Sequence, residues 1–263
     1  MTRIFAISNQ KGGVGKSTTT YHLSRAAVTQ GRRVLVVDLD PQGNSTAALA
    51  EIDADQVGLA DVLSARAPET AADVIIPSIW EGLDVLPTSG ATLELVRDEL
   101  IIAGAGREGR LRDALATVAS SYDLVLIDCP PSLDQLTING LTAAEAVIVV
   151  TQAKKWSLDG LARLLDTIEL TRRYYNPALA IAGVMMNQVE RSTLADAHWI
   201  RELKSAVGAR EIPLFEPAIP KSVTVSDSLE AAVGLDEWGT SKANDLHHLY
   251  TTHLTRLEGQ TIG

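Results

Sequence analysis

Gln10-Lys11-Gly12-Gly13-Val14-Gly15-Lys16-Ser17-Thr18 joins an apolar run to a helical one through three glycines. The apolar run Ile4-Phe5-Ala6-Ile7 precedes it, and residues 18–30 have helical character. A strand that breaks into a glycine-rich turn and re-enters as a helix points a row of backbone N–H groups into one small concavity. The positive end of the helix dipole adds to them, so the concavity suits a phosphate. In that arrangement Gly12, Gly13, Val14, Gly15 and Thr18 cradle a polyphosphate, Lys16 reaches its β and γ groups, and the Ser17 hydroxyl ligates Mg²⁺. The common form of this loop has a glycine five residues before Gly15. That position is Gln10, and an extra lysine, Lys11, stands directly before the paired glycines.

Working outward, Gly31 supplies a helix stop, and Arg33-Val34-Leu35-Val36-Val37 reads as a buried parallel strand. It runs into Asp38-Leu39-Asp40-Pro41-Gln42-Gly43-Asn44, where proline and glycine force a loop and leave two carboxylates at a strand end. Residues 122–128 form a second apolar run that ends in an acid, Asp128, followed by Cys129-Pro130-Pro131-Ser132. Further strands are predicted at 146–151 and at 181–186, the latter ending at Asn187. Short strands are predicted at Val74-Ile75-Ile76 and Leu83-Asp84-Val85-Leu86. Helices are expected near residues 58–65, 91–100, 109–120, 157–174 and 195–207. A last amphipathic helix carries Leu246, Leu249, Leu254 and Leu257 on one side. This alternation predicts an α/β fold: one doubly wound, mostly parallel sheet flanked by helices, in a single domain over residues 1–263.

The 263 residues are 46% hydrophobic, enough for a sizeable core. The single cysteine, Cys129, excludes an internal disulfide framework and suits a reducing compartment. Met1-Thr2-Arg3 leads directly into the first strand, unlike a signal peptide, and no apolar run is long enough to cross a bilayer. A cytoplasmic protein is expected. The net charge of −10 argues against blanket attraction to nucleic acid, yet residues 151–221 carry +2, against −8 before them and −4 after. The five histidines show no ligand set, and His247, His248 and His253 are expected on exposed faces of the last helix. Asn44-Ser45-Thr46 matches a glycosylation triplet, which a cytoplasmic loop makes a chance match.

The motifs KGGVGKST, VVDLDPQGN, LVLIDCPPS and LTINGLTAA resemble the deviant phosphate-loop ATPases of the ParA/MinD family. The resemblance covers nearly the whole chain and weakens over residues 151–237. It implies ATP and Mg²⁺ as cofactors and an ATP-dependent homodimer in which Lys11 crosses to the phosphates bound by the other copy. It further implies that Asp40 orients the attacking water and that Asp128 is the magnesium-side carboxylate, acting through a metal-bound water. Asp38 would support the metal or the phosphate loop. Asn187 would hydrogen-bond adenine, although an ordinary loop role stays open for it.

The loop motif follows Met1 so closely that the short, Soj-type form is expected, without an N-terminal helix-turn-helix extension. Such proteins bind DNA non-specifically and are released when a ParB-like partner stimulates hydrolysis, to segregate plasmid or chromosomal DNA. Arg191 and Lys221 fall where the family has DNA-contacting cations, while a second family arginine corresponds to Thr224. Lys154, Lys155, Arg172 and Arg173 are further candidates, and a solvated surface role stays open for each. Competing readings are a MinD-like membrane-associated regulator, a ParA-like ATPase that positions a protein cargo, and a synthetase on the same fold. The first needs a basic amphipathic C-terminal helix. The last helix has only Lys242 and Arg256 as fixed cations, so membrane attachment is disfavoured.

Overall fold

β1 (Arg3–Ser8) sits in the middle of an eight-stranded sheet because its apolar residues are covered on both faces. The structure is a computed structural model and describes residues 2–53, 56–88, 91–155, 157–190 and 193–260. In chain order β1 is followed by α1 (Lys16–Val28), β2 (Val34–Asp38), α2 (Asn44–Leu49), α3 (Leu59–Leu63) and α4 (Ala71–Val74). Next come β3 (Ile76–Pro77), β4 (Leu83–Leu86), α5 (Ala91–Ile102), α6 (Arg110–Leu115), β5 (Leu124–Asp128) and α7 (Gln135–Ala143). The chain continues through β6 (Ala146–Thr151), α8 (Ser157–Tyr174), β7 (Ala180–Met186) and α9 (Leu194–Gly208). β8 (Leu214–Phe215), α10 (Val223–Glu230) and α11 (Ser241–Glu258) complete it.

The strand order is β3-β4-β2-β5-β1-β6-β7-β8, parallel throughout except for the β3–β4 pair. The predicted single-domain, doubly wound α/β sheet is therefore the observed one. Alternate residues of each strand feed opposite faces, as the two-residue period of a strand requires. Val34, Val36, Leu124 and Leu126 pack on the side of α1 and α11, whereas Leu35, Val37, Val125 and Ile127 pack on the side of α3, α7 and α8. Register matters for the site: Ile7 pairs with Asp128, and Asp128 with Asp38. Both acids thus arrive at the sheet edge from which the β1–α1 loop springs.

Three local expectations change. Val74 is not in a strand; it closes α4, whose start is fixed by a Thr70–Asp73 capping box. The helix α2, which the sequence left unread, begins after Gly43 at φ +65°. His253 is not exposed. It shares a face of α11 with Leu246, Tyr250, Leu254 and Leu257, all buried against the sheet, and lies edge-on to Phe215 at 5.7 Å. Burial pushes its imidazole pKa down to about 4. His247 is half-buried beside Asp236, and only His248 of the three is exposed. The leucine side of α11 is the inward side. Among the described residues no helix is long and apolar enough to cross a membrane.

Candidate functional site

The cradle is built by backbone. Gly13 and Gly15 hold φ of +71° and +91°, a region that side-chain-bearing residues rarely adopt. A Cβ on Gly15 would also collide with the Asn187 amide nitrogen. Among the described residues, none of the N–H groups of residues 12–18 donates to a protein acceptor. The N-terminus of α1 has no side-chain cap and no acid in its first turn, so its dipole is uncompensated. Above it opens a cavity of about 380 Å³ lined by the loop glycines, Lys16, Ser17, Thr18, Asp40 and Gln42. Lys16 is 6% exposed. Burial lowers its pKa, and the charges of Asp128 and Asp40 oppose that shift. A buried ammonium beside a row of free N–H donors suits the oxygens of a phosphate.

Asp40, Asp38 and Asp128 differ in what they have left to offer. Asp40 lines the cavity, with Oδ1 accepting the Gln42 N–H at 3.0 Å. Asp38 lies behind it, fully buried. Its Oδ2 accepts both the N–H and the hydroxyl of Thr46 at 2.7 Å, and its Oδ1 accepts the Asp40 N–H at 3.3 Å. Asp38 is therefore committed to shaping the Asp40 loop and is not among the residues that line the cavity. Asp128 accepts the Ser45 hydroxyl on Oδ2 at 2.6 Å, while its buried Oδ1 has no partner. Burial raises the pKa of both Asp38 and Asp128, and for Asp38 the neighbouring Asp128 charge raises it further. No group of three or more His, Cys, Asp or Glu poised for a metal occurs among the described residues. One orphaned carboxylate oxygen near Ser17 and Asp40 is instead the sparse donor set that suits Mg²⁺, which keeps waters and takes phosphate oxygens.

Lys11 stands apart from this cavity. Its N–H donates to Asn9 Oδ1 at 3.0 Å, and Asn9 is anchored to the Val150 carbonyl. With Asp159, Gly160 and Arg163 of α8 it lines a neighbouring cavity of about 490 Å³. Asn187 borders a third cavity, about 210 Å³, beside Thr18, Pro220, Lys221 and Ser222. Its amide is already engaged: Nδ2 donates to the Val14 carbonyl at 2.9 Å and Oδ1 accepts the Gln188 N–H at 2.8 Å. One N–H and one lone pair remain for a ligand. Lys221 is exposed and ion-paired with Glu190 at 3.0 Å, and Arg191 lies outside the described residues. Lys154 and Lys155 follow β6 at the cradle edge of the sheet. Arg172 and Arg173 end α8 at the opposite edge, where Arg172 pairs with Glu169.

Ser45 and Thr46 escaped the sequence reading, although they follow the DPQGN turn directly. Each supplies a hydroxyl to one buried acid. Asn9, Gln152 and Gln188 escaped it as well, because only the fold brings them to the loop.

Residues 2–181, which carry the loop and all three acids, match the family model described as an AAA domain. The chain is 39% identical over 230 residues to the sporulation initiation inhibitor protein Soj of Bacillus subtilis (strain 168), covering 87% of this chain and 88% of Soj. It is 40% identical over 234 residues to the chromosome partitioning protein ParA of Caulobacter vibrioides, covering 86% and 83%. The chain belongs to the ParA/MinD family of phosphate-loop ATPases. Its fold is also that of the cobyrinic acid a,c-diamide synthase of Mycobacterium smegmatis, solved with bound ADP and magnesium. That match has a TM-score of 0.82 and 32% identity over 100% of this chain and 98% of the other. As a ParA/MinD-family chain it carries Lys11 in addition to Lys16, and the two lysines address different cavities.

Proposed function

We propose that this chain is a ParA-type partition ATPase that binds ATP with Mg²⁺, dimerises on it, and in that state binds DNA non-specifically. The observation that carries the reading is the separation of the two lysines. Lys16 lies within the cradle and Lys11 outside it, as expected if Lys11 serves a second copy of the chain across a sandwich interface. The loop N–H groups and Lys16 hold the polyphosphate. Ser17 and the free Oδ1 of Asp128 would hold Mg²⁺, which when bound would neutralise charge on the phosphate oxygens. Asp40, with one oxygen engaged by its own loop, orients the attacking water. Lys11 supplied from the other copy contributes a cation at the transferring group, an effect worth on the order of 10³–10⁵ in rate for comparable in-trans cations. Hydrolysis to ADP and phosphate then ends the dimeric, DNA-bound state, and a ParB-like partner sets its timing. The protein is cytoplasmic and associates with the nucleoid when ATP-bound.

The buried apolar side of α11 favours this over the MinD-like membrane alternative, since that helix has no free amphipathic face to insert. An ATPase that positions a protein cargo would use the same cycle. A synthase like the Mycobacterium smegmatis neighbour would need a small-molecule acceptor, so phosphate release without one separates the two. The deciding experiment is DNA binding at low salt with ATP, ADP or no nucleotide. Binding with ATP alone is expected, with Lys221→Glu weakening it. Binding that ignores the nucleotide, or no binding in any state, rejects the partition reading.

A further inference from the structure

Two glutamines outside every recognised motif meet over the phosphate loop. Gln152, just past β6, donates Nε2–H to the Gly13 carbonyl at 3.1 Å and to Gln188 Oε1 at 2.6 Å. Gln188, just past β7, directs its own Nε2 at the same carbonyl at 3.4 Å. The next carbonyl, that of Val14, is taken by Asn187. In a trans peptide the C=O and the following N–H point opposite ways. Drawing the Gly13 carbonyl towards the β6–β7 side therefore turns the Val14 N–H the other way, and the Val14 carbonyl does the same for the Gly15 N–H.

Gln188 reaches this position from a left-handed backbone, φ +52°, which a non-glycine residue adopts only when its surroundings hold it there. Asn187 Oδ1 provides that hold by accepting the Gln188 N–H. Gln188 also lines the cavity beside Thr18, and Gln152 does not.

We propose that Gln152 and Gln188 are positioning residues for the phosphate loop, with Gln152 acting on the loop alone and Gln188 on the loop and the adjoining cavity together. The proposal rests on the nucleotide reading above. The test titrates the full-length chain with ATP and with inorganic tripolyphosphate, and measures ATP turnover. Gln152→Glu keeps the side chain's size but sets an oxygen against the Gly13 carbonyl. It should weaken both ligands by the same factor, about 5–30-fold, raising KM while kcat at saturation stays close to wild type. Gln188→Gly relieves the left-handed backbone, so the ligand-free chain should melt no lower than wild type. It should nonetheless lose more affinity for ATP than for tripolyphosphate, having given up both contacts.

Unchanged affinities in Gln152→Glu would overturn the proposal, as would a lowered unfolding midpoint large enough to account for its loss of binding. Equal losses on the two ligands in Gln188→Gly would overturn the dual role of Gln188. A wild-type chain that bound neither ligand would instead remove the nucleotide reading on which the proposal stands.

Discussion

Asp38 and Asp128 are register partners on the neighbouring parallel strands β2 and β5, and both are completely buried. Two carboxylates in that relationship repel unless something neutralises or solvates them. Each has its own hydroxyl donor from α2, Thr46 for Asp38 and Ser45 for Asp128. Lys16 supplies an opposing charge that acts on Asp128. One oxygen, Asp128 Oδ1, is left over. The pair therefore stores unfavourable electrostatics in the ligand-free protein that a cation would relieve.

That storage makes stability depend on pH in a definite direction. Burial raises both pKa values above the ordinary carboxylate range, so the folded chain holds protons that the unfolded chain has released. Stability from this pair is fully present below about pH 4 and is lost as pH rises through the raised values. Asp128→Asn keeps the Ser45 contact and removes the repulsion. Urea unfolding of the ligand-free protein should show a flatter dependence between pH 5 and 8, by ~1–3 kcal/mol relative to wild type. The extra stabilisation that Mg²⁺ adds to that given by ATP alone should disappear in the same variant. A pH dependence as steep as wild type's would exclude the pair as its source.

Lys11→Ala should bind ATP as wild type does, because Lys11 does not line the cradle, and should hydrolyse it only at background rate. Equilibrium binding and phosphate release measure the two separately. Unchanged turnover removes the sandwich mechanism.

Asp40→Ala leaves Lys16, Ser17 and the loop N–H groups in place and removes the carboxylate assigned to the water. The variant should accumulate as an ATP-bound dimer, visible by size-exclusion chromatography with light scattering. If it stays monomeric with ATP, Asp40 has a different role.

Thr46→Val preserves shape while removing a hydroxyl that donates to buried Asp38 and accepts the Thr88 N–H at 3.0 Å. A hydrogen bond to a buried charged group contributes about 1.5–3 kcal/mol, and the Thr88 N–H is orphaned as well. A loss of about 2–4 kcal/mol in urea unfolding is expected. A loss below 1 kcal/mol would mean that water replaces the hydroxyl.

The cradle was legible in the sequence because its chemistry is local. Glycine at 13 and 15 announces left-handed backbone, and a lysine and a hydroxyl at the helix start announce what that backbone holds. Asp38 and Asp128 were legible for a similar reason: an acid that ends an apolar strand must lie at a sheet edge, and the Pro41 and Gly43 turn that follows keeps Asp40 close to it. The exposed reading of His253 failed because a histidine one turn from Tyr250 and Leu257 takes its environment from the opposing surface, which its own helix does not encode.

A phosphate loop with a second lysine on a doubly wound sheet follows from short-range properties: strand and helix periods and glycine conformations. Tertiary structure alone decided how the polar groups were shared out. It committed Asp38 to Thr46, left Asp128 with a free oxygen, tied Asn187 to Val14, and brought Gln152 and Gln188 onto Gly13 from strands more than a hundred residues away. Hydrogen-bond partners at that separation are chosen by strand order and register. Lys11 shows both levels at once: its presence is written in the loop, and its separation from the cradle is a property of the fold.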